Sequence, residues 1–335
     1  MNCSTNRLMQ PSTELNSPRS AVLEALTERA CLAQKRVIFP EQSDPRVQDA
    51  IEKIVREKIC KPVILEPGPA DEHSEIFWDR EDASDWFERA VRSYAERMAD
   101  KDFSPDDARA QLKDPLLLAT VLVQVGYVDS GVAGAVASTA DVLRACLRGI
   151  GLGRDSQLIS SIILIDHHHR LMTFGDCAVN PSPDPEQLAQ IAIDSAATHE
   201  LLTGLEPKVA LLSFSTHGSA KHADVDKVRC ALRALKERVP TLKACGELQA
   251  DAALIPEVGA KKAKESEVAG NANVLIFPDL NSGNIAYKIA ERLGGAHAIG
   301  PILQGLDKPW IDLSRGCNSE DIVNASVIAS LLCDS

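Results

Sequence analysis

VALLSFST (209–216), followed after HGSAKHA by DVDKVRCALRALKERV (224–239), decides the fold class. The first run is apolar without alternation, the mark of a strand covered on both faces, and the second is a helix. The same unit recurs along the chain. KRVIFPEQ (35–42) is a β-rich run, and DPRVQDAIEKIVREK (44–58) places Val47, Ile51, Ile54 and Val55 at helical spacing before the next strand, KPVILEPG (61–68). NANVLIFPDL (271–280) leads into NIAYKIAERLGG (284–295), which closes on a C-capping glycine. Buried strands alternating with amphipathic helices indicate an α/β architecture with mostly parallel sheets. One departure is LISSIILIDHHHRLMTFGDCAVN (158–180), two strands around a short polar turn that read as a hairpin. Residues 80–113 read as charged helix, and no internal repeat or low-complexity segment occurs.

The chain has 335 residues, 44% hydrophobic and 25% charged, which is an ordinary globular composition. That length predicts two domains of roughly 150 residues. Gly149, Gly151 and Gly153 mark one crossing between them and Gly300, Pro301 and Gly305 a return, which sets a ligand cleft between the halves. Lys+Arg 36 against Asp+Glu 48 gives −12, arguing against nucleic acid or an anionic membrane as partner. The longest apolar stretch, Leu116 to Val128, is interrupted by Gln124 and falls short of a span. The polar start MNCSTNRLMQPSTELNSPRS has no apolar signal region, so the expected location is the cytoplasm. Nine cysteines without a CxxC read as free thiols in a reducing compartment. His167, His168 and His169 diverge at a hairpin tip without a completing ligand set, so no metal site is expected.

Four segments have the make-up of an anion site. In SFSTHGSAKHADVDKV (213–228), Ser213, Ser215, Thr216, Gly218 and Ser219 sit where a strand gives way to a helix, a place where free N–H groups and the helix dipole converge. An ordinary capped helix start has the same composition. In FPDLNSGNIAYK (277–288), Asn281, Ser282, Gly283 and Asn284 form a second strand-to-helix turn, and two such turns at one end of a parallel sheet would face one crevice. DLSRGCNSEDIV (312–323) carries Ser314, Arg315, Cys317 and Asp321 into a terminal helix; Arg315 offers a fork for phosphate, while Asp321 also fits a plain first-turn acid. GVAGAVASTADVLRACLR (131–148) enters a helix bearing Arg144 and Arg148.

Together these segments, with KRVIFPEQSDPRVQDA, GELQADAALIPEVGAKKA (246–263) and IGPILQGLDKPW (299–310), resemble the phosphate acetyltransferase (phosphotransacetylase) family from about residue 35 to the end. The resemblance implies reversible acetyl transfer between acetyl phosphate and coenzyme A, with CoA as a substrate and no tightly bound cofactor. It also implies two α/β/α domains with mostly parallel sheets, like isocitrate and isopropylmalate dehydrogenases. Residues 1–150 and the returning 303–335 would form one domain and 151–302 the other, usually in a homodimer. By motif, Ser314 would hydrogen-bond the acyl-phosphate oxygens, Arg315 would hold the phosphoryl group and Asp321 would take the thiol proton. Arg144 and, less closely matched, Arg97 would contact CoA; Cys317 would lie near the site without acting as nucleophile.

A thiol attacks directly once ionised, so the reaction needs a base, orientation and charge stabilisation and no covalent enzyme intermediate. An ordinary carboxylate and thiol differ by roughly 4–5 pKa units, or about 6 kcal/mol. The base must therefore be raised by burial or the transfer must be concerted with attack. The chain departs from the family at Met98, Ala99 and Asp100, where a basic run is usual, at Ala137 in place of a histidine, and at Trp310-Ile311 in place of a smaller pair. Trp310 would either narrow the acyl pocket or pack between domains. Two other readings remain: transfer of a longer acyl group such as butyryl, and a ligand-sensing domain without turnover.

Overall fold

Four helices in this chain begin where Asp or Ser precedes Pro. In the computed structural model, which describes residues 21–65, 80–98, 103–168 and 170–334, Asp44, Ser104, Asp114 and Asp184 each cap a helix whose first residue is proline. The cap side chain takes an orphan N–H, and proline has none to lose. The elements are α1 (Ala21–Ala33), β1 (Arg36–Ile38), α2 (Pro45–Glu57), β2 (Lys61–Val63), α3 (Arg80–Arg97), α4 (Pro105–Gln111), α5 (Pro115–Gln124), β3 (Ser130–Ala133) and α6 (Thr139–Gly149). They continue with β4 (Ser160–His167), β5 (Arg170–Gly175), α7 (Pro185–Thr203), β6 (Lys208–Leu212), α8 (Ala223–Arg238), β7 (Lys243–Leu248), α9 (Ala250–Leu254) and α10 (Pro256–Lys262). The last are β8 (Val274–Ile276), α11 (Leu280–Arg292), β9 (His297–Gln304), β10 (Trp310–Asp312) and α12 (Ser319–Leu331).

The expected mixed α/β fold with mostly parallel strands is present. All ten strands of the described residues join one sheet in the order β2-β1-β3-β10-β9-β4-β5-β8-β6-β7. The β2-β1-β3-β10 block and the β5-β8-β6-β7 block are each parallel. Antiparallel β9 and β4 connect them, and β4 with β5 is the hairpin read at 158–180.

The core lies on both faces of each block. On one side of the first block α1, α2 and α12 bury Leu26, Ala50, Ile54 and Ile328; on the other α3, α5 and α6 bury Tyr94, Leu122 and Cys146. In the second block α9 and α10 with their connecting segments cover one face, and α7 and α8 the other. The C-terminal segment returns to the first block: β10 pairs with β3, and α12 packs on α1 and α2. The boundary read at 302/303 falls inside β9, which runs from one block to the other.

Two sequence features find their place here. The apolar run from Leu116 is the buried helix α5, ten residues long. Trp310 neither lines a pocket nor sits between blocks. It is fully buried in the core under α5 and α6, with its ring against Gly131, where an added Cβ would come within 2.3 Å. Among the described residues no helix is long and apolar enough to cross a membrane, and no group of three metal-ligating side chains occurs. The polar N-terminal stretch, Ala99, Asp100, His169 and the end of KPVILEPG lie outside the described residues.

Candidate active site

Ser314, Arg315 and Gly316 form an exposed turn between the end of β10 and the start of α12. The Ser314 hydroxyl accepts the Gly316 N–H at 3.3 Å and the Ser314 carbonyl accepts the Cys317 N–H at 2.9 Å. The turn is held from beneath by Arg46 of α2, a residue that the sequence analysis does not single out. Its guanidinium donates to the carbonyls of Arg315 (2.8 Å), Cys317 (2.9 Å) and Ala135 (2.8 Å) and is itself clamped by Asp44. Five donors in a rigid fork let one arginine tie two loops together, which lysine cannot do. The Arg315 guanidinium makes no ion pair among the described residues and faces solvent, available to an anion.

Asp321 is exposed and occupies the third position of α12. It forms a capping box with Asn318: its carboxylate accepts the Asn318 N–H at 2.9 Å, and its own N–H donates to the Asn318 side chain at 3.0 Å. The plain helix-start role is thus satisfied, and no burial acts on this carboxylate. Cys317, by contrast, is buried, and burial pushes its thiol up despite Arg46 nearby, which fits a packing residue rather than a nucleophile.

A second loop, 134–138, lies beside the first and leads into α6. Its N–H groups at Gly134, Ala135, Val136 and Ala137 all donate to the carboxylate of Glu41, at 2.7–3.1 Å. Between the loops sits Asp312. It is 1% exposed, neither carboxylate oxygen has a hydrogen-bond partner of ordinary geometry, and Gly134 has room only for hydrogen above it. Burial, with the Glu41 charge adding and the Thr139 hydroxyl opposing, pushes its pKa up to about 7. Arg144 stands exposed on α6, paired with Asp141 at 2.6 Å. Arg97 lies at the far end of that helix, where it donates to the carbonyls of Arg148 and Gly149.

The 213–219 turn differs from its reading as a donor-rich anion site. Its donors are taken by the chain itself. Gly218 N–H and the Ser215 hydroxyl donate to the Glu247 carboxylate at 2.6 and 2.9 Å, while His217 N–H donates to the Glu247 carbonyl. Thr216 N–H goes to the Ser219 hydroxyl, Ser215 N–H to the Ser213 hydroxyl and Ser213 N–H to the Leu248 carbonyl. Glu247 is buried and paired with Arg229 at 3.2 Å. Burial alone would push its carboxyl up, but these donors and Arg229 outweigh that and hold it below the usual carboxylate range. Helix α8 begins only at Ala223, capped by His222.

The 281–284 segment is likewise the first turn of α11, capped by Asp279, and not a loop. Ser282 and Gly283 N–H groups bond Asp279, and the Asn284 amide donates to the Cys177 carbonyl. Gly283 lets α11 approach closely, since a Cβ there would lie 2.3 Å from the Asp176 carbonyl oxygen. Asn281 is exposed. The structure thus holds Ser314, Arg315, Cys317 and Asp321 in one turn and the helix start that follows it, with Arg46 bracing the backbone of Arg315 and Cys317. Ser213, Ser215, Thr216, Gly218 and Ser219 gather separately around Glu247, while Ser282 and Gly283 are tied to Asp279.

Residues 21–330 match the model of the phosphate acetyl/butaryl transferase family. A phosphate acetyltransferase of Thermoanaerobacterium thermosaccharolyticum is 40% identical over 321 residues, covering 91% of this chain and 97% of that protein. A phosphotransacetylase of Streptococcus pyogenes superposes with a TM-score of 0.86 at 38% identity, covering 94% of this chain and 98% of the other. A branched-chain phosphotransacylase of Enterococcus faecalis, at 19% identity and a TM-score of 0.68 over 89% of this chain and 99% of the other, shares the fold. With the exposed Ser314–Arg315 turn and the acids and arginines around it, these likenesses place the chain in the phosphate acetyl/butaryl transferase family, as an acyltransferase.

Proposed function

We propose that this chain is a phosphate acetyltransferase, interconverting acetyl phosphate plus CoA with acetyl-CoA plus phosphate. The observation that carries the reading is the exposed Ser314–Arg315 turn, braced by Arg46, with an unpaired guanidinium in a chain of net charge −12. Arg315 binds the phosphoryl oxygens bidentately and Ser314 donates to the acyl-phosphate oxygen. Asp321, just inside α12, takes the CoA thiol proton. Because this carboxylate is exposed rather than buried, the proton moves in concert with C–S bond formation, the thiolate attacking the acetyl carbon as phosphate departs. The gain comes from orientation and charge stabilisation within one ternary complex. Arg144, exposed on α6, suits a CoA phosphate. No tightly bound cofactor is needed, since CoA enters and leaves as a substrate.

The protein acts in the cytoplasm on small molecules, apart from nucleic acid and membrane. A homodimer suits the exposed Ile285, Ile289 and Leu293, which follow one another at one-turn spacing along and just past α11.

Purified protein given CoA and acetyl phosphate, without added metal, forms thioester rapidly, and both Arg315→Ala and Asp321→Asn lower turnover by about 10²-fold or more. A folded wild type that turns over only butyryl phosphate would move the assignment to the longer acyl group, and binding without any turnover would leave a sensor.

A further inference from the structure

Of the eight described cysteines, four are buried: Cys60, Cys146, Cys177 and Cys317. In each, burial raises the thiol, which makes them inert to exchange at neutral pH. Cys245 differs in three ways. It is half-exposed, it lies on β7 at the edge of the sheet, and its sulfur sits 3.4 Å from Nε2 of His217. Both residues line one open cavity of about 460 Å³, with Lys236, Lys243, Glu265 and Glu267 among its walls.

The imidazole is delivered there by a braced backbone. His217 has a left-handed φ of 45°, and the turn is pinned on both sides by Glu247, whose carbonyl takes the His217 N–H and whose carboxylate takes the Gly218 N–H. Glu247 is two residues beyond Cys245 on the same strand, β7, which carries both the thiol and the clamp on the His217 turn. The clamp that fills the 213–219 turn therefore also sets the ring over the thiol.

We propose that Cys245 and His217 form a thiol-modification site at which Cys245 exchanges with a small zwitterionic disulfide. His217 accepts the Cys245 proton, and the thiolate attacks one sulfur of the disulfide. A new S–S bond to Cys245 forms as the old one breaks, and the departing thiolate takes the proton back from His217. The products are one mixed disulfide and one free small thiol. Cavity walls of both charge signs suit a ligand carrying carboxylates and an ammonium group, and the open sheet edge gives it access.

Oxidised glutathione incubated with the full chain tests this, with each cysteine quantified by mass spectrometry of unreduced digests. Cys230 is the comparator: it is half-exposed beside the Arg233 guanidinium at 3.0 Å and has no imidazole partner among the described residues. The adduct forms at Cys245 about tenfold or more faster than at Cys230, given what a positioned base contributes. His217→Asn keeps a residue type that tolerates the left-handed backbone but cannot take the proton. It slows Cys245 about tenfold and leaves the Cys230 rate unchanged. Continued protection of Cys60, Cys146 and Cys177 in the same digest reports that the variant is folded. Equal rates at Cys245 and Cys230 in wild type, or a Cys245 rate indifferent to His217→Asn in the folded variant, would overturn the proposal.

Discussion

The turn after β10 and the turn after β6 have nearly the same sequence make-up, small hydroxyl residues and glycine between a strand and a helix, yet opposite chemistry. After β6, the donors close on Glu247, a carboxylate from the neighbouring strand. After β10, a cation from a distant helix, Arg46, holds the carbonyls and leaves Arg315 unpaired at the surface. One turn carries its own anion, and the other presents a cation with no ion pair among the described residues. A backbone nest is an anion site only when no internal carboxylate fills it.

The sharpest way to break this comparison is Arg315→Ala. If the β10 turn is the anion site, turnover falls about 10²- to 10³-fold, as for loss of a group aimed at developing charge. The melting temperature stays put because the side chain is exposed and unpaired. A variant with near-normal kcat/KM would move the anion elsewhere. The matching change in the other turn is Glu247→Ala. It strands Gly218 N–H, the Ser215 hydroxyl and Arg229, and stability falls by about 3 kcal/mol, as for removal of one partner from a buried charged network. Formate or acetate, entering the vacated nest, raises the variant's melting temperature but not the wild type's. Without that selective rescue, the nest would be collapsed rather than anion-accepting.

Two buried carboxylates near these turns respond to pH with opposite sign. Glu247 has a depressed pKa, so its stabilisation is present above the unfolded carboxylate range and is lost as pH falls through its folded value. Asp312 is raised to about 7. Between the unfolded value near 4 and about 7 the native state holds a proton that the unfolded chain has released, so this group costs stability as pH rises across that window. The shift sets a ceiling of about 4 kcal/mol, and Asp312→Asn, which still buries an amide, recovers about 2 kcal/mol at pH 8. At pH 4 the variant melts like wild type. Urea titrations at the two pH values measure this, and an equal effect at both would show that ionisation of Asp312 is not what the substitution removes.

The parts of this architecture set by neighbours in sequence were legible there. Period-3.6 apolar faces such as Val47, Ile51 and Ile54, and unbroken apolar strands gave the α/β order and the 158–180 hairpin, while the Asp-Pro and Ser-Pro caps show themselves only in the structure. Membership of the acyltransferase family was legible in the run of motifs from residue 35 onward. What stayed hidden acts across long separations. Glu247 reaches back 29 residues to Gly218, Glu41 reaches 93 to Gly134, and Arg46 reaches 269 to Arg315. A turn's composition shows which donors it has, and only the fold shows whether they are already taken. Glu247 and Arg46 both lie inside quoted motifs, GELQADAALIPEVGAKKA and KRVIFPEQSDPRVQDA, which was the one signal available for them. Trp310 was similarly beyond reach, because its burial depends on the bare Gly131 on the next strand.

The smallest expected effects separate the two arginines assigned to CoA. Arg144 and Asp141 form an ion pair with both side chains more than half exposed, and such a pair is worth about 0.5 kcal/mol or less. Arg144→Ala should therefore leave the melting temperature nearly unchanged. It should raise KM for CoA about tenfold, the effect of losing one contact worth about 1.4 kcal/mol. Arg97 is committed differently: it donates to the last carbonyls of α6, so it acts as a cap on that helix's C-terminus. Arg97→Ala should cost about 1 kcal/mol of stability through the lost cap while moving KM for CoA less than Arg144→Ala does. Initial rates across a CoA series, with thermal melts of the same samples, read both quantities. The reverse pattern, a KM effect at Arg97 and a stability effect at Arg144, would place CoA along the far end of α6 and away from the turn that carries Arg315.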